Sequence, residues 1–261
     1  LIASGAALLG RSVANLYAID PGLDVENVTV VDVVASADVT GAERRQALAA
    51  VIAELEQLPG VTSAAASVKI PLRGGGNSFG IIVPGRQDQP SATTFFRVAT
   101  RDYFETMGIQ LVAGRGFDIS DRAADGEIPI VINQALADQY FPGENPLGRV
   151  VEGGFQATQR IVGVVANVAE GALTDDPQPA RYYLLDTAPW WGQSATLVLR
   201  SARGGQEAAM LDAMRQTVQR VAPRFAVQNT TTMSQVFAEA VGPVRQVMSL
   251  LGLMSALALI L

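Results

Sequence analysis

The stretch Asn27–Val34, reading NVTVVDVV, decides the fold together with the two segments that follow it, Ala42–Leu58 and Val61–Val68. The first is rich in β-branched residues and bounded by turn formers, which predicts a strand. In the second, Leu48, Val51, Ile52, Leu55 and Leu58 recur at spacings of three and four and so share one helix face. Pro59-Gly60 stops that helix, and Val61–Val68 follows as a second strand. The pattern then reappears far along the chain. Thr196–Arg200 (TLVLR) predicts a strand, and about Gln206 to Val221 predicts a helix with Leu211, Met214, Val218 and Val221 on one face. Pro223 ends it, and Phe225–Thr231 is the returning strand. Two such strand–helix–strand units are expected side by side as an α/β sandwich with helices on one face.

Between the units strands dominate. They are predicted at Ser78–Val83, Thr93–Ala99, Ile109–Ala113, Ile128–Ile132, Arg149–Glu152, Arg160–Val165 and Arg181–Leu185. Short helices interrupt them near Arg101–Met107 and Gln134–Tyr140, and turn signals such as Gly74-Gly75-Gly76 and Pro142-Gly143 separate them. This predicts an inserted, mainly β subdomain that leaves the first unit near Pro84 and returns near Gln193. The expected class is α+β: two βαβ units with a mainly β insertion, flanked by truncated transmembrane helices. The expected divisions are 1–18 (the end of one membrane helix and a lever), 19–83 (first unit), 84–192 (insertion), 193–240 (second unit) and 241–261 (the start of the next membrane helix).

The flanking helices are read from the ends. Leu1–Leu9 is LIASGAALL and Val247–Leu261 is VMSLLGLMSALALIL. Fifteen helical residues reach roughly 22 Å at 1.5 Å per residue, whereas a bilayer core of about 30 Å needs about 20 residues. The tail therefore reads as part of a span, although runs this short also serve as buried or amphipathic helices. Ser249 and Ser255 are its only polar side chains, so it has no polar face, and its small residues suit a membrane helix. The head lacks a basic leader and so does not read as a secretory signal peptide.

Net charge is −6 and the sequence pI is about 4.8, with no basic patch, which argues against nucleic acid as a partner. Cysteine and histidine are both absent. There is thus no disulfide framework, no thiolate chemistry, and neither the commonest general base nor the commonest transition-metal ligand. Serine and threonine have no histidine to activate them. A hydrolase built on carboxylates alone stays open, but nothing selects a pair.

The remaining motifs are weak. Arg73-Gly74-Gly75-Gly76-Asn77-Ser78 is glycine-rich, yet it lacks the phosphate-loop pattern, and no helix clearly follows it, so a flexible loop is expected. The acidic stretch from Asp118 to Asp121 and on through Asp125-Gly126-Glu127 departs from the calcium-loop spacing. Trp190-Trp191 reads either as a partner contact or as packing on the insertion. Phe141–Gly148 (FPGENPLG) predicts a structural double turn. Gly108 is expected to cap a helix of Asp102–Met107 with Asp102 in its first turn, and Gly163 to mark a bulge or close packing. No catalytic, cofactor-binding or metal-binding residue is assigned.

Several blocks now align with a known family. Ile19–Val28 is IDPGLDVENV, Tyr103–Phe117 is YFETMGIQLVAGRGF and Val131–Gly148 is VINQALADQYFPGENPLG. Arg160–Val168 is RIVGVVANV, and Thr231-Thr232-Met233 precedes Pro243–Leu261. In this order the blocks resemble the periplasmic core domain of MacB/FtsX-like ABC transporter permeases, over nearly the whole chain. The resemblance implies a "porter" part made of the two units and a "sabre" part made of the insertion, placed between two membrane helices. It implies no bond chemistry and no cofactor. It implies mechanotransmission, in which an ABC nucleotide-binding subunit moves the membrane helices and the domain carries that motion outside the cell membrane. The partners it implies are that subunit, membrane lipid, a second permease copy and a periplasmic adaptor protein. Gly10–Ile19 and Val236–Met248 would be the levers, with Arg11 and Arg245 snorkelling to head groups. The alternative is an extracytoplasmic lipid- or peptide-binding module without ABC coupling.

Overall fold

The structure, a computed structural model, describes residues 19–86, 93–123, 126–153, 155–188, 192–243 and 250. The first unit is β1 (Val28–Ala35), α1 (Gly41–Glu56) and β2 (Val61–Ser67). β1 is apolar on both faces because both are covered. Val31, Val33 and Ala35 enter one core, and Val28 and Val30 enter a second core on the opposite side. α1 begins at a capping box, in which Thr40 accepts from the Glu43 backbone and Glu43 accepts from the Thr40 backbone. Leu48, Val51 and Leu55 on its apolar stripe are fully buried, and Ile52 and Leu58 flank them.

The second unit is β10 (Ser194–Ser201), α4 (Glu207–Val221) and β11 (Phe225–Thr232). α4 turns slightly from the expected face. Met210, Met214, Thr217 and Val218 are buried, while Leu211 and Val221 are only partly so. The two units do not sit side by side. Their strands interleave in the order β11-β1-β10-β2, all antiparallel, so that β10 lies between β1 and β2. This is the split βαβ arrangement. Each crossover skips one strand position, and the other unit fills it. Helices α1 and α4 share one face and the first core.

The segment between the units extends the same sheet. Its strands are β3 (Ser78–Gly80), β4 (Thr93–Ala99), β5 (Leu111–Gly114), β6 (Glu127–Asn133), β7 (Val150–Gly153), β8 (Phe155–Val165) and β9 (Ala180–Leu184). They continue the order as β4-β9-β6-β8-β5, with β3 on β4 and β7 on β8, in a sheet of 11 strands among the described residues. Only the pair Ser67↔Ala99 joins β2 to β4. Side chains reinforce that junction: Thr100 Oγ1 accepts from the Ala66 amide, and Ser67 Oγ donates to the Val98 carbonyl. Both cores run across it. The first holds Val31 and Leu55 along with Ile130 and Tyr183, and the second holds Val30 and Ala65 along with Val131 and Tyr182. Buried apolar contact on both faces thus ties the two parts together despite the short ladder.

Two short helices, α2 (Tyr103–Met107) and α3 (Gln134–Tyr140), complete this region. Gly108 caps α2 in the left-handed conformation, φ 69° and ψ 23°. Asp102 lies one residue earlier than expected, at the N-cap, and pairs with Arg101 instead of the helix backbone. In the FPGENPLG segment Gly143 and Gly148 take φ of 72° and 76°, giving two successive turns. Gly163 is required by close approach. A Cβ there would lie 1.9 Å from the Arg115 carbonyl oxygen, and β8 slips register against both β5 and β6 nearby. Gly163→Ala is expected to cost about 2–3 kcal/mol of stability through this overpacking. Gly192→Ala, where a Cβ would meet nothing within 4 Å, is the neutral control in the same thermal melts.

Candidate functional site

Among the described residues no group of three or more acidic side chains could hold a metal ion, and the candidate site is the face where the outer segments dock. After β11 the chain enters helix α5, residues 233–243. The entry is fixed by a capping box: Thr232 Oγ1 accepts from the Gln235 amide at 3.2 Å, and Gln235 Oε1 accepts from the Thr232 amide at 3.4 Å. Met233, Val236 and Val241 are buried, and Phe237 and Ala240 pack beside them. Met233, Val236, Phe237 and Ala240, at spacings of three and four, lay one apolar stripe on the second core. Leu23 and Val25, close to the other end of the described chain, join that same core. The N-terminal segment 19–25 and α5 therefore share one apolar cluster on one side of the sheet.

Ion pairs fasten this side. Arg200 of β10 donates to Asp24 at 2.7 Å and to the Thr106 carbonyl of α2 at 3.0 Å, locking segment 19–25 to the sheet. Asp32, on the β1 face of Val28 and Val30, receives Arg73 through both carboxylate oxygens at 2.7 and 2.8 Å, and Thr196 at 2.8 Å. Arg97, nearly fully buried, donates to Glu170 at 2.6 Å and to the Gly75 carbonyl at 3.3 Å, and lies 4.5 Å over the Phe95 ring.

Burial pushes the Asp24 carboxyl up. Hydrogen bonds from the Asn27 side chain and from the Asn27 and Glu26 backbones, with the charge of Arg200, outweigh burial and hold it below its ordinary 3.8. A depressed folded-state pKa means the pair's contribution is complete above about 3.8 and is lost as pH falls through the folded value. Asp24→Asn is expected to lose about 1–2 kcal/mol at neutral pH. Its gap from wild type should close below pH 3.8 in denaturant melts run across pH.

A second polar device lies inside the insertion. Arg181 of β9 is fully buried. It donates to Thr94 Oγ1 at 2.7 Å, to Gln159 Oε1 and the Gly153 carbonyl at 3.0 Å each, and to the carbonyls of Phe79 and Gly80 at 3.2 and 3.0 Å. No carboxylate forms a salt bridge with it among the described residues, and burial pulls its pKa below the ordinary value. One guanidinium thus gathers β3, β4, β7, β8 and β9.

The weak sequence motifs resolve as structure. Arg73 is occupied by Asp32, Gly74 donates to the Glu170 carbonyl, and a Cβ at Gly76 would lie 2.7 Å from Arg97. The glycines let the loop lie against Arg97. The loop borders a cleft of about 410 Å³ that also includes Phe95, Glu170, Asp175 and Asp176. In the acidic stretch, Asp121 pairs with Arg115 at 2.7 Å and accepts from the Asp118 amide, and Asp118 accepts from Ser120. These carboxylates are already occupied within the loop, whereas Asp125 lies outside the described residues. Trp190, Trp191, Arg11, Arg245, Leu1–Leu9 and all of Val247–Leu261 except Leu250 also lie outside them. Among the described residues no helix is long and apolar enough to cross a membrane.

Arg97, Arg181, Arg200 and Asp32 carry no motif, so pattern reading passes over them. One signal was present: each is a lone charge inside an otherwise apolar strand, in TTFFRVA, ARYYL, TLVLR and VTVVDVVA.

The MacB-like periplasmic core domain family matches residues 9–217. Among solved structures, the periplasmic region of MacB from Actinobacillus actinomycetemcomitans is 15% identical with a TM-score of 0.55, covering 85% of this chain and 94% of that one. The extracellular domain of the noncanonic ABC-type transporter YknZ from Gram-positive bacteria is also 15% identical, with a TM-score of 0.50, covering 77% of this chain and 100% of that one. Likeness at these identities speaks for the fold. No curated protein matches the chain. The family match covers most of the sequence and agrees with the sheet-dominated fold: the chain belongs to the MacB-like periplasmic core domain family.

Proposed function

We propose that this domain is the extracytoplasmic transmission element of an ABC transporter permease. Motion of membrane helices, driven by ATP hydrolysis in a nucleotide-binding subunit, is carried through it to the outside of the cell membrane for export or extrusion of substrate. The observation that carries the reading is the shared docking of segment 19–25 and α5 in one apolar cluster of a sheet whose two cores are continuous. An element fastened to such a body moves it as a whole and does not bend it locally. The apolar character of Leu1–Leu9 and Val247–Leu261 supports membrane helices adjoining these two segments. A second permease copy, a periplasmic adaptor and membrane lipid are the further partners of this reading.

The domain itself does no bond chemistry in this account. Isothermal titration of the purified chain with Mg-ATP is expected to show no saturable binding, and no ATPase activity should accompany it. Saturable binding would overturn that part of the reading. Placement is tested separately. The chain contains no cysteine. A single exposed substitution, Gln216→Cys on α4, in a full permease cleared of any other cysteine should react with a membrane-impermeant maleimide in intact cells. Labelling only after lysis would reject an extracytoplasmic domain.

The alternative, a lipid- or peptide-binding module, has the cleft beside Phe95 and Gly75 in its favour. Binding of vesicles or peptides by the domain, with no dependence of transport on α5 docking, would favour it.

A further inference from the structure

Gly242 and Pro243 are the last two residues of α5, and no neighbour requires the glycine. Gly242 does not take a positive φ, and a Cβ placed on it would meet nothing within 4 Å. Alanine would fit there without strain and would favour the helix, since glycine is the poorest helix former after proline. Pro243 follows at once. It has no amide to give the carbonyl of Glu239, four residues earlier, and its ring crowds that carbonyl. Two successive residues thus weaken the helix, and at Gly242 neither a positive φ nor a close approach requires the glycine.

Their position is informative. On the N-terminal side, α5 is capped by Thr232 and Gln235 and held by Met233, Val236 and Val241. On the C-terminal side, Leu250 is helical and 61% exposed, within an apolar sequence. The weak point lies immediately after the last buried anchor. Sharp helix kinks occur at proline and at glycine-containing pairs.

We propose that Gly242-Pro243 is a flexure between the docked helix and the apolar segment beyond it. A flexure transmits push and pull along the helix but not bending. The outer segment then changes tilt without prying Met233 and Val236 from the second core or exposing the buried Val241. This deepens the transmission reading and rests on it for its purpose, but the flexure is testable without it.

Because the chain lacks cysteine, two spin labels can be placed cleanly. One pair joins Gln216→Cys on α4 to Leu250→Cys beyond the flexure. A control pair joins Gln216→Cys to Ala238→Cys on the exposed face of the docked helix α5. Distance distributions are read by pulsed electron resonance on the chain in detergent micelles. The expected result is a distribution to Leu250 at least about twice as wide as the control. Gly242→Ala with Pro243→Ala should narrow it to the control width, and Gly242→Ala alone should narrow it in part. Equal widths in the unsubstituted chain, or no narrowing in the double variant, would overturn the flexure. Flotation with liposomes reports independently on membrane insertion, so failure of the transmission reading and failure of the flexure are distinguishable.

Discussion

Leu55→Asp should unfold the domain or bring it close to unfolding. Leu55 is fully buried in the centre of the α1 stripe, within the core that runs from β1 into the insertion. The substitution removes the packing of a core leucine, itself worth about 2–5 kcal/mol, and places an unpaired carboxylate in apolar surroundings. A total loss above about 4 kcal/mol is a large part of the stability of a single domain. At about 2–4 °C per kcal/mol for a chain of this size, the melting temperature should fall by about 10 °C or more. Leu55→Ala should fall part of the way, and Ala53→Asp, on the exposed side of the same helix, should stay within about 0.5 kcal/mol of wild type. A Leu55→Asp variant that melts within a degree or two of wild type would contradict the packing described here.

Arg181→Met should be nearly as damaging, for the opposite reason. Methionine fills much of the space and carries no desolvation cost, and replacing a buried charge by an apolar residue is often neutral when its partners are replaced too. Here the partners stay. The carbonyls of Phe79, Gly80 and Gly153 and the side chains of Thr94 and Gln159 each lose a charged donor in the protein interior. Phe79, Gly153 and Gln159 keep a second donor in Thr94, Gln159 and Tyr183, so at about 1–3 kcal/mol for each group left unsatisfied a loss of about 3 kcal/mol is expected. Hydrogen exchange should rise first in β3 and β7, the short strands that Arg181 joins to the rest of the sheet. Arg181→Lys keeps the charge but lacks the planar fork, and should recover only part of the loss. An unchanged denaturation midpoint in Arg181→Met would show that the guanidinium does not hold the insertion together.

Both residues lie in elements that the sequence marks well, yet only one was recognisable for what it does. The Leu55 stripe has helical periodicity, and helical periodicity is a local property that survives without knowledge of the rest of the chain. The same holds for the strands of both units and of the insertion, for the Gly108 cap and for the close packing at Gly163. The interleaving of β10 between β1 and β2 is different. Strand pairing between residues as far apart in the chain as Val28 and Arg200, or Ser67 and Thr196, leaves no periodic trace, so two local units read as neighbours when they are intercalated. Arg181 is visible only as a charge in an apolar strand, and the five acceptors that make it structural come from distant strands. Helix α5 shows a third kind of limit. Its stripe of Met233, Val236, Phe237, Ala240 and Val241 has helical spacing, but it runs towards an apolar tail that draws attention to the membrane. The stretch 236–248 reads as a lever, and its first turn is held: Val236 lies in the second core and Val241 is buried.

The central claim is that the domain moves as one body with the helices docked to it. The most direct measurement uses the full permease with its ATPase in proteoliposomes. One spin-label pair spans the two parts of the sheet, Gln216→Cys with Glu152→Cys, and a single label at Glu152→Cys reports its distance from labelled lipid head groups. Trapping with ADP and vanadate should leave the internal distance unchanged and shift the distance to the head groups. A head-group distance that does not respond to nucleotide, or an internal distance that changes instead, would contradict the account.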